Sequence, residues 1–255
     1  MARQVIPITT PNLQAQGVPV NNNISFRLWG RYALFTDPIT KVGGEKCSYH
    51  LPTYEAIKGV LKSIYWKPTL IWHIDKVRVM KPLRTQTKGT KPLVWNGGNS
   101  LAIYTFLRDV EYQVEAHFEW NEHRPELEAD RIDGKHYSIL KRTLEKGGRQ
   151  DIFLGTRDCQ AYIEPCKFGS GEGVYDETPD IPFGLMFHSF AYPDETGGEN
   201  LESLFWQATL KKGILKFPRP DDKQSIIRRV VRPMSVKPFG ISTNLKDVAT
   251  EEAEL

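Results

Sequence analysis

The chain has 255 residues with 34 Lys and Arg against 31 Asp and Glu, and 40% of it is hydrophobic. That supports one large domain, or one domain with a smaller companion, and no apolar run approaches the ~20 residues that cross a bilayer. The formal charge of +3 excludes a strongly polybasic chain, and three cysteines without a CxxC pair exclude an even-numbered disulfide framework and point to a reducing, cytoplasmic setting.

Residues 1–23 are polar and carry Pro7, Pro11, Pro19 and a run of three Asn, with no apolar stretch of signal-peptide type. They read as a flexible leader. The first strand is expected over Ile24–Tyr32, where Ile24, Phe26 and Leu28 alternate with Ser25 and Arg27. A Gly- and Pro-rich loop follows. Thr53 then caps a helix whose Tyr54, Ile57, Val60, Leu61 and Ile64 recur at three and four, and Pro68 stops it.

A second strand is expected over Leu70–Met80, then a long polar loop over 82–100. Arg108–Trp120 has the cleanest alternation in the chain. Val110, Tyr112, Val114, Ala116 and Phe118 point one way; Glu111, Gln113, Glu115, His117 and Glu119 point the other. A second helix is expected from Asp133 as N-cap to Lys146, buried along Ile139, Leu140, Thr143 and Leu144, with Gly147–Gly148 ending it. A strand over Arg157–Ile163 closes the unit.

This βαββαβ order is ferredoxin-like, an α+β arrangement over 24–165. Short apolar runs at Leu185–Tyr192, Leu204–Leu210 and Ile214–Phe217 read as a small antiparallel β-rich domain over 166–233. Residues 234–255 end on Glu251, Glu252 and Glu254 and read as a flexible acidic tail.

Several residues suit metal-free RNA cleavage. In that chemistry the 2′-hydroxyl attacks phosphorus while a base, an acid and a cation assist. GKHY at 134–137 places Lys135 and His136 in a helix's first turn, where free N–H groups and the dipole favour an anion and a neutral imidazole. An ordinary polar first turn has the same composition. Tyr65, in SIYWKP, falls beside the apolar stripe of the first helix, where a core tyrosine is equally at home. The loop 147–159 sets Gly147, Gly148 and Gly155 beside Arg149 and Arg157, a combination that can approach and grip phosphate. Glu115 and Glu119 flank His117 and would repel an RNA backbone laid on that strand face. His188 reads as a buried, hydrogen-bonded side chain. HxxxH, HExxH and paired CxxC motifs are absent, so no metal or other cofactor is expected.

The stretches LWGRYALFTDPITKVGGEKCSYHLPTYEAIKGVLKSIYWKP (28–68), HIDKVRVMKPL (73–83), DVEYQVEAHFEWNEHRPEL (109–127), DGKHYSILKRTLEKGGRQDIFLGTRDCQAYI (133–163) and YPDETG (192–197) together resemble the type I-C (Dvulg) members of the CRISPR-associated Cas-five family. The resemblance spans roughly 24–220. It implies a repeat-associated RNA-binding fold and a metal-independent endoribonuclease that cuts precursor CRISPR RNA within its repeat, leaving 5′-hydroxyl and 2′,3′-cyclic phosphate ends. It maps the family's catalytic residues onto Tyr65, Lys135 and His136: His136 for proton transfer, Lys135 for phosphoryl charge, and Tyr65 to orient or deprotonate the 2′-hydroxyl.

The substrate so implied is a repeat hairpin, with the mature 5′ handle retained by the protein. The implied partners are Cas-seven and Cas-eight type subunits of a Cascade complex, through which the chain would meet target DNA indirectly, in a prokaryotic cytoplasm and away from any membrane. Arg31, Lys41, Lys46, Arg142, Arg149 and Arg157, with Gly147 and Gly148, are the expected RNA contacts. Two competing readings remain: a handle-binding cap that never cuts, and a metal-dependent DNA nuclease built on Glu111, Glu115 and Glu119.

Overall fold

The computed structural model describes residues 22–36 and 45–236. Most of the leader, the contact expected at Lys41 and the tail from 237 onward lie outside the described residues. The described chain is mostly antiparallel β-sheet with few helices.

Strand β1 (Asn23–Ala33) alternates as its sequence dictates, with Phe26 and Leu28 fully buried. Helix α1 (Tyr54–Ile64) begins at Thr53, whose hydroxyl accepts the Ala56 N–H at 3.2 Å, and it buries Ile57, Leu61 and Ile64. Strand β2 spans Leu70–Val79. The region expected as a polar loop forms strand β3 (Thr85–Thr90), which pairs with the start of β4 (Ala102–Trp120). Its threonines are β-branched and suit a pleated ladder, and polarity hides a strand that buries little.

After a 3₁₀ turn (Pro125–Asp130), helix α2 runs over Lys135–Glu145. Its N-cap is Gly134, with φ 74°, and not Asp133; no side chain caps this helix. The Gly147 and Gly148 N–H groups bond back to Leu144 and Thr143, closing the helix as expected. Strands β5 (Ile152–Phe153), β6 (Gln160–Pro165) and β7 (Ile181–Ala191), the short α3 (Pro193–Thr196), then β8 (Asn200–Lys211), β9 (Ile214–Lys216) and β10 (Ile226–Pro233) complete the order. The β8–β9 turn has φ above zero at both Lys212 and Gly213, the hand that a tight hairpin needs.

In the sheet the order is β10-β8-β9-β2-β4-β1-β6-β5, with β3 on β4 and β7 on β8. Strand β9 pairs with β2, so segment 166–233 continues the sheet, and one apolar cluster joins Leu28, Leu61, Val114 and Leu140 to Leu204, Trp206 and Leu215. Helices α1 and α2 lie against the face that carries Val114, Ala116 and Phe118, and they meet each other there.

The carboxylates on the opposite face of β4 do not stand free. Glu111 bonds Arg27 and Lys81, Glu115 bonds Lys76, and Arg219 grips Glu119 with both terminal nitrogens at 2.9 Å. The repulsion expected from this face is therefore largely neutralised.

Gly155 packs where a side chain cannot go. Its φ is +91°, and a Cβ there would sit 2.0 Å from the Leu34 carbonyl oxygen. Gly155→Ala is expected to cost about 2–5 kcal/mol, backbone strain adding to the clash. Chemical denaturation measures this directly.

Candidate functional site

Tyr65 is the residue on which α1 ends. Its N–H still donates to Leu61 at 2.9 Å, but its φ of −159° and ψ of 128° are extended, and its carbonyl accepts the Trp72 indole N–H at 3.0 Å. Held from both sides, the ring turns toward α2, and its hydroxyl lies 2.8 Å from His136 Nδ1. Both side chains are buried, Tyr65 at 1% exposure and His136 at 0%.

The second imidazole nitrogen settles the proton positions. His136 Nε2 lies 2.6 Å from the Asp130 carbonyl oxygen, which can only accept. Nε2 therefore carries the hydrogen. In the neutral ring Nδ1 is then a lone pair, and the Tyr65 hydroxyl donates to it. The Trp120 ring meets the imidazole edge-on, with centroids 5.5 Å apart.

Burial raises the Tyr65 pKa, Asp130 raises it further, and Arg149 opposes both. The Lys135 ammonium lies 2.6 Å from Asp130 Oδ1, and the Thr69 hydroxyl donates to Oδ2 at 2.8 Å. Burial works against ionisation of Asp130, but the bonds from Lys135 and Thr69 hold its carboxyl below the ordinary range. Lys135 keeps 40% of its side chain exposed, so it is the part of the trio that solvent reaches.

The structure thus brings Tyr65, Lys135 and His136 together. Sequence reasoning missed Asp130 and Thr69, which hold the trio in place. Asp130 lies in a polar stretch between elements, with no periodicity or motif to mark it; an acid five residues before a Lys-His pair is the only trace.

The expected RNA contacts divide into two groups. Gly147, Gly148 and Arg149 lie near the trio: the Arg149 and Gln150 N–H groups bond the Ser63 carbonyl at 3.2 Å, two residues before Tyr65. They line a groove of about 610 Å³ with Gln160 and Tyr162. Arg142, exposed on α2, donates to its own helix at the Ser138 carbonyl.

Arg31, Lys46 and Arg157 lie toward the other end of the sheet. Arg31 sits over Tyr32 and Lys46 over Tyr104, and the turn carrying Arg157 packs on residues 34 and 35 beyond β1. Lys88, not anticipated, stands 3.4 Å from the Tyr32 ring centre. From Trp120, beside His136, to Arg108, opposite Tyr32, β4 runs about 40 Å at ~3.3 Å per residue. The Arg149 groove lies between these ends, because Gln160 and Ala161 in its wall pack on Gly30, next to Arg31.

A cavity of about 910 Å³ lies nearby and does not contain the trio. It is bordered by His73, Glu119, Phe190 and Arg219, and it shares Trp120 with the site as a wall. His73 there is buried and, with Arg219 beside it, held near pKa 4, so it stays neutral. His188 is buried against Tyr54, its ring nitrogens on Ser189 and the Pro218 carbonyl. Among the described residues no three His, Cys, Asp or Glu side chains are placed to share a metal ion, and Glu111, Glu115 and Glu119 are each engaged by a cation.

Comparison with known proteins places these features in a family. A family model described as "CRISPR-associated protein (Cas_Cas5)" matches residues 23–218. The CRISPR pre-crRNA endoribonuclease Cas5d of Mannheimia succiniciproducens is 27% identical over 236 residues, covering 77% of this chain and 95% of its own. The enzyme of that name from Thermus thermophilus is 28% identical over 219 residues, covering 76% and 91%. A crystal structure described as a CRISPR-associated protein is 32% identical, with a TM-score of 0.66, and covers 80% of this chain and 96% of its own.

Proposed function

Because the chain belongs to the CRISPR-associated Cas5 family, we propose that it is an endoribonuclease that cuts precursor CRISPR RNA within the repeat, using Tyr65, Lys135 and His136. The observation that carries this is the hydrogen bond from the Tyr65 hydroxyl to His136 Nδ1, with Lys135 bound to Asp130, the residue that also holds His136. As the 2′-hydroxyl attacks phosphorus, its proton passes to the Tyr65 oxygen while the Tyr65 proton moves to Nδ1. The phenol, a weak base by itself, becomes one through the imidazole. The Lys135 ammonium exchanges Asp130 for the phosphoryl oxygens and balances the charge that builds there. The bond from phosphorus to the 5′-oxygen breaks, that oxygen takes a proton from solvent at the exposed side of the site, and the products are a 2′,3′-cyclic phosphate and a 5′-hydroxyl.

The strand order β2-β4-β1-β6 with α1 and α2 packed on one face supports reading the core as ferredoxin-like. RNA hairpins are recognised through shape and backbone, and single strands through splayed bases. A substrate reaching from the trio past the Arg149 groove to Arg31 and Lys46 must run tens of ångströms along the sheet, which suits a repeat hairpin with flanking single strand. Retention of the 5′ handle and assembly with Cas-seven and Cas-eight type subunits of a Cascade complex complete this reading.

Burial of both rings favours one other reading, a handle-binding cap that does not cut. Matching repeat RNA incubated in EDTA decides between them. Cleavage with cyclic phosphate ends supports the nuclease; intact RNA that remains bound supports the cap. For Arg149→Ala we expect weaker binding and a salt dependence shallower by about one unit of slope. An unchanged slope in a binding titration shows that Arg149 does not touch phosphate.

A further inference from the structure

Both members of the Lys135–His136 pair are tied to a single residue that comes from a different element. Asp130 ends the 3₁₀ turn. Its carbonyl oxygen meets His136 Nε2 at 2.6 Å, its Oδ1 meets Lys135 Nζ at 2.6 Å, and its Oδ2 accepts from Thr69 Oγ1 at 2.8 Å. Oδ2 is also 3.5 Å from His136 Nε2. Thr69 is itself buried at 1% exposure, and its carbonyl takes the Asn121 N–H at 2.8 Å. The carboxylate is therefore fastened to a buried anchor, and Lys135 and His136 hang from the residue that carries it.

We propose that Asp130 is a positioning residue of the cleavage site: its carbonyl keeps His136 in the Nε2–H form, and its carboxylate, pinned by Thr69, holds Lys135 beside the Tyr65–His136 pair. The proposal rests on the nuclease reading. In the opposite tautomer Nδ1–H would face the Tyr65 hydroxyl and a lone pair would face a carbonyl, so no atom could take the Tyr65 proton. With Nε2–H committed, Nδ1 is the only acceptor. Once Nδ1 takes that proton, the new imidazolium faces the Asp130 carbonyl and, slightly farther off, its carboxylate, and both stabilise it. Other charges at this pair come from Lys135 on α2 and Arg149 in the loop after it, while β4 contributes the uncharged Trp120.

Three substitutions test this: Asp130→Asn, which keeps shape and removes charge; Thr69→Val, which removes the pinning hydroxyl; and Thr69→Ser, which keeps it. Single-turnover cleavage of repeat RNA is followed across pH, and affinity is measured with a repeat carrying a 2′-deoxy sugar at the cut position. Asp130→Asn is expected to cut about 10-fold or more slowly with affinity for the uncleavable repeat undiminished. The carboxylate charge holds protons on the pair, so its loss moves the rising limb of the pH profile to lower pH, by about half a unit or more. Thr69→Val shows a smaller loss and Thr69→Ser restores it.

Wild-type rate with an unmoved limb overturns the proposal, and so does a slower rate with an unmoved limb, which is what a purely structural role predicts. An independent readout is the ¹⁵N spectrum of His136 in the free wild-type protein. It must show Nε2–H, and an Nδ1–H ring overturns the Asp130 assignment whatever the activity. Failure of the wild type to cut overturns the nuclease reading instead, so the two failures are distinguishable.

Discussion

His136→Ala is expected to lower single-turnover cleavage by about 10²–10⁴-fold, the range over which a positioned proton-transfer group acts, while RNA affinity stays within a few-fold. The imidazole is fully buried and reaches the reaction through the Tyr65 hydroxyl, so its removal takes away the proton acceptor without removing a surface that RNA touches. The variant also leaves the Tyr65 hydroxyl without its partner in a buried place, a cost of about 1–3 kcal/mol. Cleavage is therefore measured well below the melting transition, with affinity followed on the 2′-deoxy repeat. A variant that cuts at the wild-type rate removes His136 from the mechanism.

Tyr65→Phe is the narrower test, because one oxygen is lost and the ring remains. We expect a loss of about 10²-fold or more in cleavage, with a thermal transition lowered only modestly. The sign of the pH effect follows from the environment of the phenol. Burial and Asp130 both favour its protonated form. Wild-type cleavage should thus rise with pH as the Tyr65–His136 pair becomes able to give up a proton, and that rise should vanish in Tyr65→Phe. A variant whose rate and pH profile match the wild type shows that the hydroxyl is a core group satisfied by His136 and nothing more. That outcome would leave Lys135 and the basic groove around Arg149 as parts of an RNA-holding surface.

Much of the fold was legible because its signals are local. Thr53 caps α1 as its position before the apolar stripe requires, and the buried face of β4 follows from strict alternation between Val110 and Phe118. Strand β3 was not legible, because Thr85–Thr90 pairs at a partly exposed hairpin and has no apolar face to show. The N-cap of α2 was misplaced by one residue. Asp133 has the chemistry of a cap, but Gly134 makes the turn through a left-handed conformation that side-chain preference does not reveal. The carboxylates of β4 looked repulsive for a similar reason: Arg27, Lys76, Lys81 and Arg219, which neutralise them, come mostly from other strands and loops.

The site divides in the same way. The resemblance to the Cas-five family singled out Tyr65, Lys135 and His136; composition and order alone leave an ordinary polar helix start and a core tyrosine equally open. Which nitrogen carries the proton, that Asp130 and Thr69 tether the pair, and that the Arg149 groove runs from the trio toward Gly30 and Arg31 are not legible in the sequence. Those facts depend on contacts between residues distant in sequence, set by strand register and by the packing of α1 against α2, and no local pattern encodes them.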